Sequence, residues 1–170
     1  MVIWIIGLSG SGKTYLAKKI LKALGNYKKV HVDGDEVRKY LTYNLGYSYE
    51  DRKKNSIFMS DLCKFLEEQN FIVVCSTLSN YPDHQRKNRK KYKKYFQIYI
   101  KSELNNLSER NKKNIYSKRN VVGKDIKFIK PVRNDFIIKN NFKPFQKIII
   151  DKIISKIKNA IKTKKNNRKN

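Results

Sequence analysis

Eight consecutive residues, Gly7-Leu8-Ser9-Gly10-Ser11-Gly12-Lys13-Thr14, satisfy the pattern GxxxxGK[ST]. Glycines at these places let the backbone wrap closely around an anion and turn successive N–H groups inward. A helix beginning near Lys13 adds the positive end of its dipole. Lys13 then reaches the β- and γ-phosphates of a nucleoside triphosphate, and the Thr14 hydroxyl ligates Mg²⁺. The apolar run Val2-Ile3-Trp4-Ile5-Ile6 before the motif and the helical periodicity after it supply the context this chemistry needs. That context separates the motif from a chance glycine-rich turn. Gly7, Ser9, Gly10, Ser11, Gly12, Lys13 and Thr14 are therefore expected to cradle ATP, with Lys13 also serving catalysis.

A second constellation narrows the chemistry. Asp33-Gly34-Asp35 follows a short strand pattern at Lys29–Val32. In a parallel sheet the end of that strand lies at the same edge as the glycine loop. Two carboxylates there, with Thr14, can hold Mg²⁺, so Thr14, Asp33 and Asp35 form the expected metal set. Asp35 can also take a proton from an incoming hydroxyl. Arg38, one turn later, can clamp an anionic substrate bidentately. The blander alternative for Asp33 is an Asx turn capping the next helix. No NKxD-type guanine reader follows and 170 residues is short for a motor, so a small-molecule kinase is the best fit.

These groups need a scaffold. Buried strand patterns recur at Val2–Ile6, Lys29–Val32, Phe71–Cys75, Tyr95–Ile100 and Phe136–Ile138. Helical patterns run over Lys13–Leu24, Glu36–Tyr43, Glu50–Glu68 and Pro82–Lys94. Others run from Ser102, a possible cap, to about Arg110, and from Pro144 through Phe145, Ile148, Ile149, Ile153, Ile157 and Ile161. Gly25 marks a helix stop. Strands alternating with helices predict α/β architecture, a doubly wound parallel sheet of the P-loop kinase type with helices on both faces. Residues 1–161 read as one domain. The basic, aperiodic stretch over about 110–134 reads as a lid, and 162–170 as a basic, fraying tail.

Composition sets further bounds. With 40 Lys and Arg against 14 Asp and Glu, the formal net charge is +26. The excess is mostly Lys, accompanied by abundant Asn, Ile and Tyr, the mixture that AT-rich coding produces, so it disfavours a dedicated nucleic-acid partner; a small anionic substrate profits from the same field. No run approaches the ~20 apolar residues of a membrane span, and the opening strand is not a signal peptide, so a cytoplasmic enzyme without membrane contact is expected. Cys63 and Cys75 read as reduced core thiols, and His31 and His84 have no metal-ligand spacing. Oligomeric state is not fixed, with a homodimer as one option.

Taken together, GLSGSGKT (Gly7 to Thr14), DGDEVR (Asp33 to Arg38), LGYSYEDRKKN (Leu45 to Asn55), STLSNY (Ser76 to Tyr81), RNKKNIYSK (Arg110 to Lys118) and VVGKDIKFIKP (Val121 to Pro131) resemble the adenylylsulfate (APS) kinase family, in family order. The resemblance implies transfer of the ATP γ-phosphoryl group to the ribose 3′-hydroxyl of a nucleotide carrying a 5′ mixed anhydride. By the same resemblance Asp35 matches the family's proposed base and metal-associated aspartate. Arg38, Arg52 and Asn55 match contacts to the substrate anion, and Tyr47 an aromatic that packs on the substrate base. Ser79 matches a serine some members are thought to phosphorylate, Lys113 a lid lysine, and Arg110 the head of that lid.

Departures from the family pattern concern the acceptor. Asn80 stands where Pro is usual, Asn111 and Asn114 replace an Asp and a Gly, and Ile57-Phe58 replaces an arginine pair. Val121 stands for the phenylalanine that closes over adenine, which leaves the base open between adenine and cytosine. A variant of the family phosphorylates cytidine diphosphoramidate for capsular polysaccharide modification. The smaller wall at Val121 leans toward that acceptor, across the ring from Tyr47.

Overall fold

The computed structural model describes residues 1–41, 45–110 (Arg110 as backbone), 114–140, 145 and 147–162. Five strands, β1 (Val2–Gly7), β2 (Lys29–Asp33), β3 (Ile72–Thr77), β4 (Tyr95–Lys101) and β5 (Phe136–Lys139), form one sheet in the order β2-β3-β1-β4-β5. Every pairing is parallel. The helices are α1 (Lys13–Ala23), α2 (Gly34–Lys39), α3 (Tyr49–Glu68), α4 (Pro82–Lys91), α5 (Leu104–Arg110) and α6 (Lys147–Lys162).

All six residues of β1 are buried because helices cover both faces of the sheet. Ile3 and Ile5 pack with Leu16, Ala17 and Ile20 of α1 and with Ile153 and Ile157 of α6. Val2, Trp4 and Ile6 point the other way, to Met59 and Cys63 of α3 and to Tyr92. Each fully buried aliphatic of this kind contributes about 1.5–3 kcal/mol of transfer free energy. This two-sided demand is why β1 and β3 read as continuous apolar runs rather than alternating ones.

The strand order creates the crevice. The chain leaves β1 toward one edge through α1 and leaves β3 toward the other through α4, on the opposite face. The loops after β1 and β3 therefore diverge at the carboxyl ends of two neighbouring strands, where open α/β sheets bind ligands. A third, smaller apolar cluster of Leu8, Leu107, Tyr116, Val121 and Val122 fastens α5 and the irregular segment after it against the glycine loop. That segment carries turns and one isolated bridge, Val122 to Ile126.

Several expectations from sequence need correction. α2 covers Gly34–Lys39 and starts before the expected Glu36, because the Asp33 side chain caps it by accepting from the Asp35 N–H; residues 42 and 43 of the expected span lie outside the described residues. α4 ends at Lys91 rather than Lys94, because Tyr92 turns into the core and donates its hydroxyl to the Ser60 carbonyl at 3.1 Å. Ser102 does not cap α5; its Oγ is buried without a partner, and the helix begins at Leu104. Residues 163–170, nearly all of the expected basic tail, lie outside the described residues. Cys63 and Cys75 are free and buried, as core thiols should be. Among the described residues no helix is long and apolar enough to cross a membrane.

Candidate active site

The glycine loop owes its shape to backbone freedom at two residues. Gly10 (φ 78°) and Gly12 (φ 93°) occupy the left-handed region that side chains rarely adopt. Gly7 is fixed by crowding instead, since a Cβ there would lie 2.5 Å from Ser11 Oγ and 3.0 Å from the Ile100 carbonyl. Lys13 folds back over the loop and donates to the carbonyls of Gly7 (3.0 Å) and Leu8 (2.9 Å).

Beside it stands a carboxylate that accepts three hydrogen bonds. Asp33 Oδ2 accepts from Thr14 Oγ1 and from Ser76 Oγ, each at 2.8 Å, while Oδ1 accepts from the Asp35 N–H at 3.0 Å. Burial pushes the Asp33 carboxyl up, but these hydrogen bonds and the nearby His31 outweigh it and hold the group below its usual range. His31 Nε2 lies 2.9 Å from Ser76 Oγ. Burial pulls His31 down, so its ring is neutral at pH 7.

These groups open onto a cavity of about 560 Å³. Ser9, Gly10, Gly12, Lys13 and Thr14 line its floor, and Asp33, Asp35, Arg38, Arg52, Asn55 and Ser79 line one side. The size suits a nucleotide-scale ligand. On the Asp35 side, Asn55 Oδ1, Ser79 Oγ and Arg38 Nε are buried without a hydrogen bond among the described residues. Ser79 also holds a left-handed φ of 44°. Arg38 donates to the carbonyls of Leu45 (3.2 Å) and Gly46 (2.6 Å). Arg52 donates to those of Tyr47 (2.9 Å) and Asn120 (3.0 Å). Both guanidinium groups also rest on the Tyr47 ring, at 4.9 and 5.1 Å from its centroid. Burial first, and then the charge of Arg38, pull Arg52 below its usual value without neutralising it.

Two of the expected site residues are placed differently. Val121 does not wall the cavity; it is 4% exposed, inside the cluster with Leu8, Leu107 and Tyr116. It therefore does not face Tyr47 across a ligand ring, and Tyr47 itself is 53% exposed beside the cavity rather than lining it. Arg110 is the last residue of α5, and Lys113 lies outside the described residues.

Sequence reasoning also missed part of the wall. Tyr15, Leu107, Ile115, Tyr116, Asn140 and Phe145 also line the cavity, with Phe145 and Asn140 lying against Gly12 of the glycine loop. Asn140 donates to the Ser11 carbonyl at 2.7 Å, and Phe145, expected on the core stripe of α6, packs against Tyr15 at 5.9 Å between ring centroids. A polar residue ending the last strand was the only local signal. Ser76 falls just past the expected strand Phe71–Cys75, whereas β3 extends through it to Thr77.

Magnesium fits the donor set. The Thr14 proton is engaged by Asp33, which leaves the hydroxyl lone pairs for a cation, and Asp35 adds a carboxylate on the same cavity. Such an all-oxygen arrangement, completed by phosphates and water, is what Mg²⁺ requires. Among the described residues no group of three or more His, Cys, Asp or Glu gathers as a metal cage.

A parallel sheet with a glycine cradle on β1 and a carboxylate turn on β2 defines an α/β kinase of the P-loop class. The chain belongs to the adenylylsulphate kinase family, whose model matches residues 1–139, and it is a phosphotransferase. Its relatives include the cytidine diphosphoramidate kinase of Campylobacter jejuni subsp. jejuni, 34% identical over 164 residues, covering 92% of this chain and 95% of that protein. The adenylyl-sulfate kinase of Halothermothrix orenii is 34% identical over 121 residues, covering 69% of this chain and 65% of that protein. In fold it resembles the APS kinase of Mycobacterium tuberculosis in complex with AMPPNP and APS. That likeness has a TM-score of 0.80 at 22% identity and covers 95% of this chain and 97% of the other.

Proposed function

We propose that this protein is a cytoplasmic, Mg·ATP-dependent kinase that phosphorylates the ribose 3′-hydroxyl of a nucleotide 5′ mixed anhydride, with cytidine diphosphoramidate as the acceptor. The observation that carries the acceptor assignment is the likeness to the Campylobacter cytidine diphosphoramidate kinase, which spans both chains almost end to end. The adenylyl-sulfate kinases also match, so APS is the second reading.

The division of the cavity supports a two-substrate reaction. The triphosphate lies along Ser9–Thr14, with its nucleoside toward Phe145 and Asn140. The acceptor lies on the side of Asp35, where Arg38, Asn55 and Ser79 offer polar atoms without a hydrogen bond among the described residues and Arg52 adds a positive charge to meet its anhydride. Asp35 accepts the proton of the 3′-hydroxyl as its oxygen forms a bond to the γ-phosphorus. The bond from that phosphorus to the bridging oxygen breaks, and ADP leaves with the electron pair. Lys13 exchanges its bonds to the loop carbonyls for the β- and γ-phosphate oxygens and compensates their charge. Thr14, Asp33 and Asp35 would hold Mg²⁺, which when bound would supply charge neutralisation for the transferred phosphoryl group.

Steady-state kcat/KM for the two acceptors, measured by ADP release at fixed Mg·ATP, tests the assignment. A higher value for cytidine diphosphoramidate is expected. Preference for APS by orders of magnitude would make the protein a sulfate-activating kinase instead.

A further inference from the structure

The residue with the most direct line to the reacting end, and with no role so far, is His31 on the edge strand β2. Its neighbours Val30 and Val32 turn toward the α3 side of the sheet, which leaves His31 on the face that α1 covers. A strand in that position needs only an apolar filler. Instead the imidazole Nε2 sits 2.9 Å from Ser76 Oγ, across 45 residues of sequence.

The proton count along this chain has one solution. A serine hydroxyl has a single proton, and Ser76 gives it to Asp33 Oδ2 at 2.8 Å. Ser76 Oγ can then only accept from His31, so the ring presents Nε2–H. Every donor points toward the same carboxylate oxygen: His31 to Ser76, Ser76 to Asp33, and, from the other side, Thr14 to Asp33.

We propose that His31 is a positioning residue for the nucleotide-binding hydroxyl of Thr14, acting through Ser76 and Asp33. Held as a donor to Asp33, Thr14 turns its lone pairs to the cavity. Without the Nε2–H, the Ser76 hydroxyl is free to rotate and donate elsewhere. Asp33 then keeps only two of its three donors and can shift away from Thr14. The proposal rests on the Mg·ATP reading above but not on the identity of the acceptor.

The variants are His31→Leu, which fills the space without a donor, His31→Gln, which keeps an N–H at similar reach, and Ser76→Ala, which cuts the chain one link later. The measurement is calorimetric binding of ADP, with Mg²⁺ and then with EDTA. Partners of this outer-shell kind are worth about 10–100-fold in metal affinity. The expected result lies at the low end: the Mg²⁺-dependent tightening falls about tenfold in His31→Leu and Ser76→Ala, and His31→Gln recovers most of it. Binding in EDTA changes less than about twofold. If His31→Leu and Ser76→Ala keep the full Mg²⁺ effect, the proposal is overturned. An equal loss in Mg²⁺ and EDTA also overturns it, since that marks a purely structural role. Should His31→Leu not fold, Ser76→Ala and the Gln variant decide by the same criteria. A wild-type protein with no Mg²⁺ effect would remove the Mg·ATP reading and this proposal together, whereas a wild-type effect preserved in His31→Leu removes this proposal alone.

Discussion

The hydroxyl of Tyr116 donates to the carbonyl of Ser9 at 2.8 Å, joining the segment after α5 to the glycine loop across 107 positions of sequence. Around that bond Leu8, Leu107, Val121 and Val122 exclude water, and burial raises the phenol to about 12, so it remains a donor throughout the physiological range. With the packing of Leu8 against Leu107, this bond ties the cavity wall to the glycine loop. Tyr116→Phe keeps the packing and removes the bond, which is worth about 0.5–1.5 kcal/mol. KM for ATP should rise about two- to tenfold with a small loss of thermal stability, measured by initial rates and a melting curve.

Asp35 is assigned the proton of the acceptor hydroxyl. Asp35→Asn should lower single-turnover phosphoryl transfer with excess enzyme by about 10²–10⁴-fold, the usual value of a positioned base. ADP binding should persist. A loss below about tenfold would reduce Asp35 to a turn residue at the start of α2.

Val121 offers a test of packing against specificity. Because it is buried with Leu8 and Tyr116, Val121→Phe should overpack that cluster and destabilise the fold by about 1–3 kcal/mol. Denaturant unfolding would show it. The ratio of activities on the two acceptors should stay within about twofold, since Val121 does not wall the cavity.

Glu67 is a buried carboxylate far from the site. It accepts from the N–H groups of Lys93 (2.9 Å) and Lys94 (3.2 Å) and pairs with the Met1 ammonium at 3.2 Å. Burial raises its pKa, but these donors and charges outweigh it and hold the group below its usual 4.5. A depressed carboxylate stabilises the fold above its unfolded pKa and loses that contribution as pH falls through the folded one. Glu67→Gln should therefore cost about 1–3 kcal/mol near neutral pH. The gap from wild type should narrow below about pH 4.5, which chemical denaturation at several pH values would show.

The parts of this structure legible from sequence are those set by local pattern. Val2–Ile6, the glycine loop and α1 follow each other within two dozen residues, and their periodicities and turn chemistry name them directly. Asp33-Gly34-Asp35 was legible because strand ends in parallel sheets share an edge. What escaped depends on contacts between distant segments. Ser76 lies beyond the strand expected at Phe71–Cys75, and only the extension of β3 to Thr77 and its pairing with β2 bring it to Asp33 and His31. Phe145 matches a helical stripe, yet the chain beyond β5 delivers it to Tyr15 and Gly12. Val121 matches the family's aromatic position in sequence, but its side chain packs inside the apolar cluster with Leu8 and Tyr116. Ser102 had the residue type of a cap without the geometry.

The proposed reaction moves the γ-phosphoryl group of ATP to a ribose 3′-oxygen of cytidine diphosphoramidate. Phosphorus NMR of the reaction of enzyme, Mg·ATP and cytidine diphosphoramidate tests it most directly. One new phosphomonoester resonance coupled to the ribose H3′ is expected, appearing in step with ADP while the diphosphoramidate signals persist. ADP formed without that resonance, or a product seen only when APS is the acceptor, would contradict it.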